Sequence, residues 1–86
     1  MKPTPQQDPK FLRLPDLLAR RRNSRSATYR HITEGLIVPP VKLSANTSVW
    51  PTHEIEAIER ARVAGANDEE VRALVSSLVA ARKAAA

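Results

Sequence analysis

The chain has 86 residues and a formal net charge of +5 at pH 7, a length that leaves room for one small hydrophobic core. It contains no cysteine, which excludes disulfide bonds, thiolate zinc sites and cysteine nucleophiles. Residues 1–9 lack the apolar run of a signal peptide, and no later segment reaches the roughly 20 apolar residues that span a bilayer. We therefore expect a cytoplasmic, nucleoid-associated protein without membrane contact.

The positive charge is concentrated in one part of the sequence. Residues 10–31 contain seven basic side chains and one acidic side chain, whereas residues 51–86 carry a net charge of −1. A local basic patch attracts a polyanion and releases its condensed counterions, which evenly spread lysines would not do on one particular side. The distribution therefore predicts a nucleic-acid partner.

Helix one is predicted from about Pro15 to Arg21, after an N-terminal tail. Residues 1–9 are polar and proline-rich, a composition typical of a disordered tail. Pro15 suits the first helical position, and Asp16 complements the positive end of the helix. Three leucines at helical spacing give this helix one apolar face: Leu14, Leu17 and Leu18.

Helix two is predicted between Ser24 and Gly35. Serine is a favourable N-cap because its hydroxyl accepts a backbone N–H, and glycine can adopt the left-handed conformation that ends a helix. At about 100° per residue, Thr28 and Ile32 share the side that packs inward. The opposite side, free to contact a partner, carries Ser26, Arg30 and Thr33.

A small β-hairpin, or wing, is predicted after helix two. Pro39 and Pro40 do not permit a helix there. Two short segments with apolar alternation, residues 41–43 and 48–50, flank the turn-prone residues 44–47. Trp50 is assigned to packing rather than to base stacking, because tryptophan at the end of such a strand usually lies in the core.

Two longer helices are predicted in the C-terminal part. Helix three begins at Pro51 and Thr52, directs Ile55 and Ile58 to the core and ends at Gly65. Its other face is expected to be exposed to water and carries Glu54, Glu56 and Glu59.

Helix four follows a capping box formed by Asn67 and Glu70. The short connection to helix three predicts an antiparallel helical hairpin. A continuous aliphatic stripe along helix four has two interpretations, completion of the monomer core or self-association. The stripe consists of Val71, Leu74, Val75, Leu78 and Val79.

These elements predict a mostly α fold with a small β-hairpin wing. Residues 10–66 are expected to form a winged helix-turn-helix domain. Residues 67–86 are expected to form a C-terminal helix that packs on this domain or mediates self-association. In such a domain the second helix enters the major groove of double-stranded DNA, where its N-terminal residues reach base edges.

The basic and polar side of helix two is the predicted DNA-binding site. Arg25 and Arg30 can each make bidentate contacts to guanine, worth roughly 1–3 kcal/mol of discrimination, and nearby hydroxyls can bind phosphates. The alternative is a charged face that contacts only water. The predicted DNA-binding residues are Arg20, Arg21, Arg22, Ser24, Arg25, Ser26, Tyr29, Arg30 and Thr33 in the helices, with Lys42, Ser44, Asn46 and Thr47 in the wing.

The sequence predicts no catalytic residue, metal site or cofactor. His31 and His53 are far apart, and neither belongs to a ligand motif. The serines and threonines have no base at a suitable spacing, and there is no glycine-rich phosphate loop. We therefore expect a protein that is not an enzyme and that binds no small-molecule ligand.

Five short motifs occur in an order that resembles the AlpA family. They are Arg13–Leu18, Ser24–Arg30, Glu34–Gly35, Pro40–Leu43 and Val49–Trp50, and the resemblance covers about residues 11–63. That family is grouped with the MerR-like winged helices and the phage-type excisionases. The resemblance implies DNA binding by helix two and the wing, in a transcriptional regulator or a recombination directionality factor.

The resemblance also implies where and how DNA is bound. Arg25, Ser26, Tyr29 and Arg30 occupy the recognition-helix positions, and Lys42 with residues 44–48 occupies the wing. Small excisionase-like proteins associate side by side on an attachment site and bend it. That bending favours the integrase complex that excises a mobile element, so the resemblance implies self-association on DNA and an integrase partner.

The sequence departs from the family pattern at three places. Arg22 and Asn23 replace the usual glycine and aliphatic residue of the interhelical turn. Thr28 replaces a large aliphatic residue, and Asn46 and Thr47 stand where an arginine is common in the wing. These differences predict a reshaped turn, a weaker core and a less basic wing.

Three other functions remain open from the sequence. An antitoxin-like adaptor would capture a partner protein through helix four, and a promoter-only regulator would bind DNA without a role in excision. An RNA-binding module is the third, but single-stranded RNA is usually bound by stacking on aromatic side chains. This chain has only three aromatic residues other than histidine, namely Phe11, Tyr29 and Trp50.

Overall fold

A computed structural model of the chain describes residues 10–84. Within this range the protein forms four helices and a three-stranded antiparallel sheet, and it is mostly helical. The predicted tail at residues 1–9 and the last two positions of the predicted C-terminal helix lie outside the described residues. In chain order the elements are β1 (Phe11–Arg13), α1 (Leu14–Arg21), α2 (Arg25–Thr33), β2 (Val41–Ser44), β3 (Thr47–Pro51), α3 (Thr52–Val63) and α4 (Asp68–Ala84).

The ends of α2 follow the predicted capping residues. The Ser24 hydroxyl accepts a hydrogen bond from the backbone N–H of Ala27 at 3.1 Å, which confirms the predicted N-cap. Gly35 lies in the left-handed region with φ of 78°, and the N–H of the following Leu36 donates to the carbonyl of His31 at 2.9 Å. This bond satisfies a carbonyl that the last helical turn leaves without an intrahelical partner.

The hairpin of α3 and α4 is also defined by local sequence. The Asn67 side chain accepts from the Glu70 N–H at 2.8 Å, and the Glu70 carboxylate accepts from the Asn67 N–H at 2.9 Å. This reciprocal pair is the predicted capping box, in which each side chain satisfies a free backbone donor.

A search of residues 10–84 for a helix with the length and apolar character of a membrane span finds none.

The sheet has the strand order β1-β3-β2, so β3 is central. Strands β2 and β3 form the predicted hairpin, with Val41 opposite Val49 and a register irregularity between Lys42 and Ser44. Strand β1 pairs antiparallel with β3 and was not predicted. Three residues are too few to show a period in the sequence, and this strand exists because its backbone groups pair with β3.

The hydrophobic core lies between the helices and one side of the sheet. Trp50 is fully buried, and its indole N–H donates to the carbonyl of Val38 at 3.0 Å, which confirms its assignment to packing. The loop after α2 supplies two fully buried aliphatic residues that the sequence did not single out, Ile37 and Val38. The core cluster consists of Leu17, Ile37, Val38, Trp50, Ile55, Ile58, Val71 and Val75.

The structure places part of the helix-four stripe in the monomer core, which is the first of its two interpretations, and self-association stays a prediction. Val71 is fully buried and Val75 is 7% exposed, and both belong to the monomer core. The other three members of the stripe are partly buried and pack against the same core: Leu74, Leu78 and Val79. The packing of α4 on α3 within one chain therefore covers the stripe in part.

Glu54 was expected to face water, and the structure corrects this expectation. Its side chain is 2% exposed and forms a bidentate ion pair with Arg82, with distances of 2.6 and 3.0 Å. The same guanidinium donates to the carbonyl of Pro39 at 2.8 Å. Arg82 lies 28 positions further along the chain, so helical periodicity could not reveal that α4 covers this carboxylate.

Candidate nucleic-acid interface

The outward side of α2 carries the residues predicted to contact DNA. Arg25, Ser26, Tyr29, Arg30 and Thr33 are exposed. The inward side carries Thr28, which is fully buried, and Ile32, which packs against the core. A nine-residue helix therefore separates a packing side from a basic and polar surface, as the spacing in the sequence predicts.

Among the residues that the structure describes, the exposed arginines of α2 and of the turn before it make no ion pair. Within residues 10–84, the ion pairs of arginine involve Arg20, Arg62 and Arg82. The guanidinium groups of Arg22, Arg25 and Arg30 have no carboxylate within ion-pair distance in that range. Their charge is not neutralised within the described fold, so an external anion would meet three uncompensated cations on α2 and the turn before it.

The turn between α1 and α2 contains an unusual backbone conformation. Arg22 has φ of 58° and ψ of 40°, and among the described residues it is the one non-glycine residue with positive φ. Its N–H and that of Asn23 both donate to the carbonyl of Leu18, at 2.8 and 3.3 Å. Glycine adopts this conformation without steric cost, whereas arginine is strained there. At the position where the family pattern has glycine, Arg22 is therefore held in a backbone conformation that favours glycine.

Arg20 was predicted to bind DNA, but its guanidinium faces α3. It donates to both carboxylate oxygens of Glu59, at 2.7 and 2.9 Å, and Glu56 lies 3.9 Å away. The hydrogen bond from Arg20 lowers the pKa of the Glu59 carboxyl, and the same bond raises the pKa of Arg20. Arg20 therefore joins α1 to α3, which sequence analysis could not show because the partners are 39 positions apart.

Arg21 is half-buried and points away from the exposed side of α2. Its guanidinium donates to Nδ1 of His31 at 2.8 Å. Because arginine only donates, Nδ1 accepts and the imidazole carries its proton on Nε2. Burial lowers the pKa of the Arg21 guanidinium. Arg21 therefore contributes to the packing of α1 against α2, in addition to its charge.

The predicted wing residues lie on the β2–β3 hairpin. Lys42, Ser44 and Asn46 are exposed, and Thr47 is half-buried. The Lys42 ammonium donates to the carbonyl of Ala45 at 3.3 Å, next to the turn. Strand β3 contacts both α1 and α3, so the position of the hairpin is set by the core rather than by α2.

Two residues near the basic region were not predicted as site residues. Arg62, near the end of α3, and Asn23, in the α1–α2 turn, line one pocket together with Arg20 and Arg21. Arg62 is 39 positions from Asn23, and only the tertiary fold brings them to one pocket. Sequence spacing held no signal for this juxtaposition.

The described residues contain no group of three or more histidine and acidic side chains placed to hold a metal ion.

Comparisons with protein-family models, with curated proteins and with solved structures found no match for this chain. The resemblance to the AlpA family therefore stays a prediction.

Proposed function

We propose that this protein binds double-stranded DNA through the exposed side of α2. In this proposal α1 and α2 form a helix-turn-helix, and the β2–β3 hairpin is the wing of a winged helix domain. Arg25 and Arg30 contact base edges in the major groove, and Ser26 and Tyr29 bind backbone phosphates. The wing adds contacts from its exposed polar side chains, Lys42, Ser44 and Asn46.

The observation that carries this proposal is the combination of exposure and charge on one helix. Arg25 and Arg30 are exposed and make no ion pair within residues 10–84. The opposite side of α2 holds the helix in place through the buried Thr28. A helix fixed by its inner side with free guanidinium groups on its outer side fits the requirements of major-groove recognition.

Within DNA binding, we favour an excisionase-type role, in which several copies bind side by side, bend an attachment site and assist an integrase. Transcriptional regulation can coexist with this role. The adaptor alternative would use helix four, where Val71 and Val75 lie in the monomer core and the other three stripe residues are partly buried. Association between copies on DNA would then use surfaces other than these two side chains.

A mobility-shift measurement at low ionic strength with a pool of random duplexes tests the proposal. The wild-type protein is expected to retain duplex DNA. A protein carrying both Arg25→Ala and Arg30→Ala should bind more weakly and with a shallower salt dependence, because two cations are lost from the surface that meets the DNA polyanion. If no duplex of any sequence is retained by the wild type, the proposal fails.

A matched control removes the same charge from a different surface. Arg60 on α3 and Lys83 on α4 are exposed and make no ion pair within the described part of the chain. Replacing both by alanine should leave the affinity and the salt slope close to those of the wild type. An equal loss in both double variants would mean that overall charge, rather than α2, attracts the DNA.

Specific recognition requires a further comparison on a selected binding site. Arg30→Ala should cost about 1–3 kcal/mol on the cognate site and less on random duplex, because a base contact is lost. Arg22→Ala should weaken both complexes alike, because a contact to phosphate carries no sequence information. Equal affinity of the Arg30 variant and the wild type for the cognate site would show that α2 does not read the sequence.

A further inference from the structure

A pocket beside the α1–α2 turn has an excess of guanidinium groups. Its volume is about 390 Å³, and its walls combine polar residues with an apolar floor. Three arginines and one carboxylate contribute to it, and its position is defined by α1, the turn and α3. The lining residues are Arg20, Arg21, Asn23, Leu36, Ile58, Glu59, Arg62 and Val63.

The three arginines differ in how far their charge is compensated. Arg20 forms a bidentate ion pair with Glu59, and Arg62 is paired with Asp68 at 2.9 Å. Arg21 has no carboxylate within ion-pair distance among residues 10–84. The pocket therefore contains one guanidinium whose charge is not matched by the described fold.

Arg21 also retains unused hydrogen-bond donors. Of the five N–H groups of a guanidinium, one is engaged, on His31. Its Nε is buried and has no hydrogen-bond partner in the part of the chain that the structure describes. A buried cationic donor without an acceptor is unfavourable, so an oxyanion that reaches this guanidinium would gain a charge-assisted hydrogen bond.

The surroundings of Arg21 favour an anion over a neutral ligand. Burial and the nearby positive charge of Arg62 both lower the pKa of Arg21, while Glu59 acts in the opposite direction. A bound anion would offset the effects of burial and of the Arg62 charge, which both disfavour the charged form of Arg21. Leu36 and the buried Ile58 give the pocket an apolar floor, which strengthens a charge–charge interaction relative to bulk water.

We infer that this pocket binds a phosphate group, with Arg21 as the anchoring cation and Arg62 and Asn23 as additional donors. The phosphate is either that of a DNA backbone or that of a free phosphate ion. A backbone phosphate would fit the position of Asn23, which directly precedes the N-cap residue of α2. In that case the inference deepens the proposed function by adding a contact at the entry to the DNA-binding helix.

The test follows the arginine Nε–H resonances of the full-length protein by ¹⁵N NMR during a titration with sodium phosphate at constant ionic strength. We expect a saturable shift of the Arg21 resonance and none of comparable size at Arg82, which lies outside the pocket and is paired with Glu54. Sodium chloride at the same ionic strength should produce no such shift. Equal, non-saturating shifts at all arginines would overturn the inference.

A matched pair of variants gives an independent measurement. Arg21→Met keeps much of the side-chain volume and removes the charge, and it should weaken phosphate binding about tenfold, the loss of one charge-assisted hydrogen bond. Arg60→Met removes the same charge from an exposed position of α3 outside the pocket and should bind phosphate as the wild type does. The wild-type titration decides the matter if Arg21→Met fails to fold.

A short duplex distinguishes the two sources of phosphate. If the duplex displaces the phosphate ion and reproduces the Arg21 shift, a backbone phosphate is the ligand. If the phosphate shift persists at saturating duplex, the site takes a free phosphate. If duplex is retained and Arg21 responds to neither probe, the phosphate site is overturned and the proposed function stands. If Arg21 responds to phosphate and no duplex is bound, the phosphate site stands and the proposed function fails.

Discussion

The α1–α2 region and the α3–α4 region differ in how completely their polar groups are hydrogen-bonded or ion-paired. In α3–α4 the capping box is reciprocal, and the buried Glu54 is fully paired with Arg82. In α1–α2 the hydroxyl of Thr28 and the Nε of Arg21 are buried without a partner, and Arg22 is strained. Thr52, at the start of α3, is the one other described residue with a buried unpartnered side-chain atom.

In this contrast the features that favour a stable fold lie in α3–α4, and most of those that lower stability lie in α1–α2. Departures from local rules concentrate at functional sites in natural proteins, and the rest of the fold compensates for them. The α3–α4 hairpin supplies well-satisfied contacts that hold the domain together. The α1–α2 region carries the exposed arginines and most of the unfavourable features, which is consistent with the proposed DNA-binding surface.

The largest effect is expected from breaking the buried ion pair of α3 and α4. Arg82→Ala would leave the carboxylate of Glu54 buried without its partner, at a cost of about 3–5 kcal/mol in the free energy of unfolding. Urea denaturation measures this loss. Lys83→Ala, one position away and exposed, should change stability by less than about 0.5 kcal/mol.

Replacing both members of the pair separates the ion pair from its desolvation cost. Glu54→Leu combined with Arg82→Leu should recover most of the stability that Arg82→Ala loses, because no unpaired charge remains buried. A double variant as unstable as the single one would show that packing of the Arg82 side chain, rather than charge compensation, holds α4 on α3.

A smaller effect of opposite sign is expected at Thr28 in α2. Its hydroxyl is buried without a partner, and valine has nearly the same shape without the polar atom. Thr28→Val should therefore stabilise the protein by about 1 kcal/mol, measured by thermal or urea unfolding. The control is Thr33→Val, because Thr33 is exposed and its hydroxyl already donates to the Tyr29 carbonyl. A destabilised Thr28 variant would contradict the interpretation of that hydroxyl as unsatisfied.

Arg22→Gly should separate stability from binding. Glycine removes the steric cost of positive φ but adds freedom to the unfolded chain, so we expect a net stabilisation of about 0.5 kcal/mol. The same variant loses one free cation and should bind duplex DNA more weakly. Arg22→Lys keeps both the charge and the strained backbone and serves as the control. Unchanged duplex affinity in the glycine variant would remove Arg22 from the DNA-binding surface.

A stability effect as small as that of Arg22→Gly concerns the Arg20–Glu59 pair and its dependence on pH. The pKa of Glu59 is lowered from its ordinary value of 4.5, so the stability it contributes is present above that value and is lost as pH falls through the lowered pKa. The pair is partly exposed, with side-chain exposures of 33% and 42%, and solvent screening limits its contribution to about 0.5 kcal/mol.

Glu59→Gln tests this dependence. The difference in unfolding free energy between the wild type and the variant should be measurable at neutral pH and should vanish as the pH falls below 4.5 and through the lowered pKa of Glu59. Glu69→Gln, at an exposed position without an ion pair in the described residues, should show no such trend. A Glu59 difference that persists at the acid end would contradict an electrostatic origin.

The sequence by itself determined the local features of this protein. Helix four and its capping box, the Ser24 cap, the inner and outer sides of α2 and the burial of Trp50 all agree with the structure. Each depends on residues within a few positions of one another or on the period of one element. Propensity, capping and amphipathic spacing act at that range, so they can be read without knowing the fold.

Only the tertiary structure decided which charges are free. The sequence presents Arg20, Arg21 and Arg22 as one run, yet Arg20 binds Glu59, Arg21 binds His31 and Arg22 has no ion pair within residues 10–84. The sequence likewise did not indicate the burial of Glu54 or the three-residue strand β1. These outcomes depend on which distant element packs against each residue, and the composition of the helix that carries them does not record that partner.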